Sequence, residues 1–173
     1  VYGLKDEEKV TEDLSLVPIS VYNKTKMIAE RVFMSFQNKI KIYNIRPATV
    51  CGVSERMRLD VSVNMLTYQA IKDKVINVFG GNQVRPNIHI DDLADVYLHF
   101  VEQNLPSGDY NAGFENLKII EIANMIKNIT KASLNITENS NDPRSYRLSS
   151  QKLVDSGFKP KRTVETAIYE LID

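Results

Sequence analysis

The sequence predicts an α/β fold in which short strands alternate with helices, and three observations predict it. Apolar residues at Ile28, Val32 and Phe36, with Ala29 and Phe33 beside them, recur at helical spacing. A brief apolar run at 40–45 follows and is closed by Pro47, as a strand would be. Further on, short apolar runs bounded by Gly and Pro keep alternating with helical patterns to the end of the chain.

The elements follow in order. A polar loop occupies 5–18 and a long helix 18–37. A strand is expected at 40–45. A basic, irregular loop at 53–60 carries Arg56 and Arg58. The pattern of Val61, Met65 and Leu66 predicts a helix over 61–72. A strand at 75–79 is closed by Gly80-Gly81, and another at 87–90 leads into a helix from 91 to about 103, with Asp91 or Asp92 suited to its first turn. A turn at Leu105-Pro106-Ser107-Gly108 precedes a strand at 110–111. A helix at 119–129, a strand at 134–137 and short helices at 150–156 and 164–172 complete the chain. Repeats and low-complexity segments are absent.

Composition bounds the function. At 173 residues, with 43% apolar and 25% charged side chains, the chain has room for one domain with a real core. Lys plus Arg and Asp plus Glu are both 22, so no net charge draws the chain to nucleic acid or an anionic membrane. Recognition of an anion must come from local arginines. Cys51 is the only cysteine, which rules out an internal disulfide and suits a reducing cytoplasm. No apolar run approaches the roughly 20 residues of a membrane span, and no signal peptide is visible.

The chemistry centres on Tyr22 and Lys26 at the start of the long helix. Residues four apart share a helix face, with Cβ atoms about 5–6 Å apart. A lysine cation beside a phenol favours the phenolate and lowers its pKa from the reference of about 10. A tyrosine tuned this way can shuttle a proton near neutral pH. The competing reading is a solvated helix face.

Around that pair stands an ordered series: Val1-Tyr2-Gly3, then Arg46-Pro47-Ala48-Thr49-Val50-Cys51-Gly52, then Gly80-Gly81-Asn82-Gln83-Val84-Arg85 running to Ile88-His89-Ile90-Asp91, then Tyr110-Asn111-Ala112-Gly113, then Gly157-Phe158-Lys159-Pro160. The series resembles the extended short-chain dehydrogenase/reductase family in its NAD-dependent epimerase/dehydratase branch, and it spans nearly the whole chain. The resemblance implies the C-terminal part of a Rossmann-type parallel sheet plus a smaller α/β substrate-binding lobe. The glycine-rich strand–turn–helix with which the family binds the dinucleotide pyrophosphate has no counterpart, and Gly80-Gly81 opens no helix. The chain therefore reads as the C-terminal portion of an enzyme, with 1–57 as the remnant of the NAD-binding domain and 58–173 mainly the substrate-binding lobe. Within the latter, 87–113 is a candidate to return to the Rossmann sheet.

The same resemblance assigns roles. Tyr22 is the acid/base, and Lys26 tunes it and binds the nicotinamide ribose. Pro47 lies against the nicotinamide of NAD. Arg85 and Arg144 grip the diphosphate of a nucleotide-sugar, a task suited to a planar guanidinium, with Arg147 competing for the place of Arg144. Asn64 lies near the substrate phosphates, or else caps a helix N-terminus. Asn77 and Phe79 lie near the base, although Phe79 also reads as core. Thr49 stands where many relatives carry Asn, and Ala48 replaces a usual aromatic, so the sugar itself is not carried over. The implied activity is that of a UDP-hexose 4-epimerase-like enzyme; a nucleotide-sugar 4,6-dehydratase or reductase, and a non-catalytic nucleotide-sugar-binding or assembly module, are the alternatives. The apolar side of the long helix, and the family's use of that helix in dimers, imply a homo-oligomer. His89 reads as a satisfied core histidine, His99 as a helix-surface residue and Cys51 as core, and no ligand spacing indicates a metal site.

Overall fold

A computed structural model gives the structure of the chain and describes residues 1–3, 9–138 and 145–173. The elements are α1 (Val21–Met34), β1 (Tyr43–Pro47), β2 (Thr49–Cys51), α2 (Ser62–Lys72), β3 (Val75–Phe79), β4 (Val84–His89), α3 (Ile90–Glu102), β5 (Gly108–Ala112), β6 (Glu115–Lys118), α4 (Ile119–Thr130), β7 (Ser133–Thr137), α5 (Gln151–Asp155) and α6 (Val164–Ile172). Three small sheets result among the described residues. β1 pairs β5 in parallel, β4 lies between parallel β2 and antiparallel β6, and β3 pairs β7 in parallel. The expected α/β architecture with parallel strands is what forms.

The first helix starts where the Ser20 hydroxyl accepts the Asn23 N–H at 3.1 Å. It ends at Met34, three residues short of the expected end. There the Ser35 hydroxyl turns back on the Val32 carbonyl, and the Phe36 and Gln37 N–H groups bond three residues back, which tightens the last turn. The strand expected at 40–45 lies at 43–47 instead. Its register is set by its partner, with Tyr43 opposite Gly108 and Pro47 opposite Ala112. Ile40 is left exposed. Strand β4 begins three residues earlier than expected and runs through Pro86. The missing N–H is tolerated because β2 pairs only from Asn87 on, so β4 has one neighbour at Pro86.

Two main cores hold the elements. Leu66, Ile76, Ile122, Ile126 and Ile168, from α2, β3, α4 and α6, are all under 2% exposed. Burying each stabilises by about 1.5–3 kcal/mol. Ile88, Val96, Phe100, Tyr110, Leu153 and Phe158 form the second, around α3 and β5. The chain packs closely just past β1 and β5: a Cβ at Gly113 would sit 2.5 Å from the Ala48 Cβ, so neither position admits a larger residue without a shift.

The C-terminal helix α6 is fastened to β4 and β6 through polar groups. His89, fully buried, accepts the Asp91 N–H on Nδ1 at 3.2 Å, so its Nε2–H donates to Glu170 at 2.9 Å. Asp92, 1% exposed, accepts the N–H groups of Lys161 and Arg162 and a guanidinium N–H of Arg162. Glu115 accepts the Val164 N–H at the start of α6. His99 is half-buried rather than on the open helix surface, bonded to Ser156 and packed on Phe158.

Burial pushes the Glu115 carboxyl above its ordinary value of 4.5, and the Val164 N–H works against that rise. A carboxyl raised in this way holds its proton more readily folded than unfolded. Its ionisation therefore costs stability as the pH climbs from the unfolded value through the raised one. Glu115→Gln, which keeps an acceptor for Val164, is expected to raise the melting temperature at about pH 7 and to change it little at about pH 4, read by circular dichroism. A lower melting temperature at neutral pH would show that the charge itself holds α6.

Candidate active-site cleft

Two cavities meet at Tyr22, Pro47 and Tyr146. The larger, about 1170 Å³, is walled by Thr49, Arg58, Ser62, Asn77, Phe79 and Arg85 among others. The smaller, about 630 Å³, lies between α1 and β1 and is lined by Lys26, Glu30, Phe33, Arg46 and Tyr97. Among the residues singled out from the sequence, Tyr22, Lys26, Pro47, Thr49, Asn77, Phe79 and Arg85 all border one cavity or the other. Arg144 lies outside the described residues.

Tyr22 is 67% exposed, and the Lys26 ammonium stands 5.1 Å from its ring centroid. Both belong to the first turns of α1, which buries no residue of its own. Pro47 ends β1 and is exposed, so its ring faces the space that Tyr22 also borders. Strand alternation puts its neighbour Arg46 on the other side, where it is buried.

Phe79 ends β3 and is 60% exposed, which removes its reading as plain core. Asn77, two residues earlier on the same face, accepts the Asn135 amide N–H at 3.1 Å. The Gln83 side chain closes the turn after β3, donating to the Phe79 carbonyl and accepting the Gly81 N–H. Gly80-Gly81 thus lead into β4 and not into a helix. Arg85 is half-buried on β4, opposite Leu117 of β6.

Asn64 behaves differently from both of its expected roles. The residue at the helix cap is Val61, and Asn64 sits inside α2, 3% exposed. Its amide accepts the Gly52 N–H at 3.1 Å and donates to the carbonyls of Gly52 and Arg58 at 3.2 and 3.1 Å. It therefore pins the loop after β2 that frames the larger cavity. Arg58 forms an exposed pair with Asp60, whose carboxyl it holds below the ordinary range.

Cys51, on β2 beside the cleft, is buried. Burial pushes the Cys51 thiol up to about 12, with the charges of Glu115 and Glu170 adding to the rise, so it stays a core thiol. Among the described residues, no group of three or more His, Cys, Asp and Glu stands close enough to hold a metal ion. Nor is any described helix long and apolar enough to cross a membrane.

A polar network behind the smaller cavity was not assigned a role from the sequence. Arg46, 8% exposed, forks onto Glu30 of α1, with Nε 3.1 Å from Oε1 and Nη2 2.7 Å from Oε2. The same guanidinium reaches Asp109 on β5 at 2.7 Å, the Tyr2 hydroxyl at 2.8 Å and the Glu12 carbonyl at 3.3 Å. Burial works against its charge, and the bonds to Glu30 and Tyr2 overcome that, leaving it more basic than an ordinary arginine. The one sequence signal was Arg46's place beside Pro47 in the second motif.

Comparison with known proteins places this geometry. The UDP-glucose 4-epimerase of Streptococcus mutans is 27% identical, over 92% of this chain and 56% of that protein. The anthocyanidin reductase of Arabidopsis thaliana is 29% identical, over 88% of this chain and 46% of that protein. The crystal structure of UDP-glucuronic acid 4-epimerase from Bacillus cereus, in complex with UDP-glucuronic acid and NAD, superimposes with a TM-score of 0.84 at 26% identity, covering 99% of this chain and 57% of that one. The chain thus spans about half the length of the relatives it matches. Residues 1–113 match the model of the NAD dependent epimerase/dehydratase family, and the chain belongs to that family.

Proposed function

We propose that this chain supplies the acid/base helix and the substrate-binding lobe of an NAD-dependent nucleotide-sugar epimerase acting on a UDP-hexose. The observation that carries the reading is the junction of the two cavities, where Tyr22, Lys26 and Pro47 border the smaller one and Tyr22 and Pro47 open onto the larger, walled by Phe79 and Arg85. In this scheme Lys26 and Pro47 hold the nicotinamide-ribose end of the cofactor. Bound NAD takes a hydride from a sugar hydroxyl carbon and later returns it. Tyr22, as the phenolate that Lys26 stabilises, accepts the hydroxyl proton as the hydride leaves, holds it as the phenol, and gives it back on return. Phe79 and Asn77 face the base, Arg85 takes the diphosphate, with Arg144 as its proposed second grip, and Thr49 lies toward the sugar. Asn64 shapes the cleft through the backbone of Gly52 and Arg58. Residues 1–57 belong to the dinucleotide-binding domain and 58–173 mainly to the substrate lobe, β5 returning to the sheet beside β1.

A second reading is a reductase or dehydratase using the same tyrosine and lysine, and the likeness to anthocyanidin reductase favours the former. The exposed apolar side chains of α1, Ile28, Val32 and Phe33, support a homo-oligomer with that helix in the interface.

Two outcomes follow. In the full-length protein, Tyr22→Phe should lower turnover of the UDP-hexose by at least about 100-fold while leaving the melting temperature unchanged, because the ring packs little and the hydroxyl does the proton transfer. Unaltered turnover would remove Tyr22 from the chemistry. Calorimetry of residues 1–173 with NAD should show no binding tighter than about 1 mM, since the paired glycines lead into a strand and offer the pyrophosphate no helix N-terminus. Micromolar binding would mean that this chain carries its own phosphate cradle.

A further inference from the structure

Helix α1 carries Tyr22 and Lys26 yet buries no residue. Among the described residues, its one side-chain hydrogen-bonded tie to the rest of the fold is the fork from Arg46 to Glu30. Tyr22, Lys26 and Glu30 follow each other at intervals of four. At about 3.6 residues per turn they form one gently winding row along the helix. All three border the smaller cavity. The last of the row is fixed and the first is the proposed proton shuttle.

The anchor is stiff. All five guanidinium N–H groups have acceptors: Glu30 takes two, and Asp109, Tyr2 and the Glu12 carbonyl take one each. The acceptors are themselves held. The second Asp109 oxygen accepts the Asn44 amide at 2.8 Å, and the Tyr2 hydroxyl donates to Asn111 at 2.7 Å. Arg46 is also the residue next to Pro47, so the strand position that would bear on the cofactor and the one that holds the helix are adjacent.

We propose that Arg46 and Glu30 are positioning residues. The fork sets the rotation and height of α1 over β1, and so the distance of the Tyr22 hydroxyl from the reacting carbon beside Pro47. This rests on the acid/base reading of Tyr22. The planar fork matters because a lysine at 46 would keep the charge but hold Glu30 through a single point contact.

The test is Glu30→Gln and Arg46→Lys in the full-length protein, with steady-state kinetics and amide hydrogen exchange. The expected result is a fall in kcat of about tenfold or more with KM within about twofold, the signature of a misplaced reacting group and not of weakened binding. Exchange in 21–34 should quicken while that in 75–79 and 119–130 stays as it was. A purely structural role would lower the melting temperature and leave the kcat of the folded fraction intact, and that result overturns the proposal. Unchanged exchange in 21–34 overturns it as well. Should either variant melt early, Glu30→Asp keeps the charge pair and draws the helix in by one methylene, and it is expected to lower kcat with the melting temperature retained. Unchanged kcat in that variant rejects the proposal. If Tyr22→Phe also leaves turnover intact, the acid/base reading fails and this inference falls with it; if Tyr22→Phe abolishes turnover and the Glu30 and Arg46 variants do not change kcat, only the inference fails.

Discussion

One buried guanidinium ties β1 to the first segment, to α1 and to β5. Arg46 bonds Tyr2 and Glu12 from the first segment, Glu30 from α1 and Asp109 from β5, while Tyr2 goes on to Asn111. The inward side of β1 is accordingly polar, with Asn44 and Arg46 buried where a strand of this kind usually carries aliphatic residues. A buried cation is tolerable because two carboxylates and a phenol surround it, and removing one partner of such a pair costs about 3–5 kcal/mol. The parallel register of β1 on β5 brings these partners together, since it sets Asn44 opposite Asp109 and Arg46 opposite Asn111.

The part of the fold beyond the larger cavity is organised by a second set of polar ties, around β4. His89 and Glu115 fasten the two ends of α6, and Asp92 fastens the segment before it. Asn64 fixes the bend at Gly52. Between these ties lies the mainly aliphatic core of α2, β3, α4 and α6, where the buried Thr67 hydroxyl is spent on the Val63 carbonyl. Phe79, Asn77 and Arg85 are left lining the larger cavity by that arrangement, on two strands whose alternate residues Ile76, Val78, Val84 and Ile88 are core. The cleft is thus built on rigid elements, while the proposed proton shuttle sits on a helix held mainly by one fork.

The sequence carried the elements that fold by their own local pattern. The strand at Val75–Phe79 and the helix at Val164–Ile172 were legible to the residue, because turn residues or a Thr163 cap bound them. Strands Thr49–Cys51 and Glu115–Lys118 were not. They have three and four residues, and Glu115-Asn116-Leu117-Lys118 shows no alternation; both exist only because β4 pairs with them. The site was legible as far as motifs reached, which brought Tyr22, Lys26, Pro47, Phe79 and Arg85 to one cleft. The Arg46 network escaped notice because its members lie up to 109 positions apart, at Tyr2 and Asn111, and no local spacing encodes that. Asn64 was placed in the right region with the wrong partner, since the spacing of a polar residue in a helix does not say whether it turns to the cleft or to the backbone behind it.

The central claim is that this chain by itself holds the nucleotide-sugar cleft. Backbone amide chemical shifts of the labelled chain, followed as UDP is added to about 10 mM, test it most directly. The account predicts saturable shifts gathered at Thr49, Asn77, Phe79 and Arg85, with the amides of α3 and α5 unmoved. Shifts gathered instead on α3, or none at the highest concentration, would contradict it.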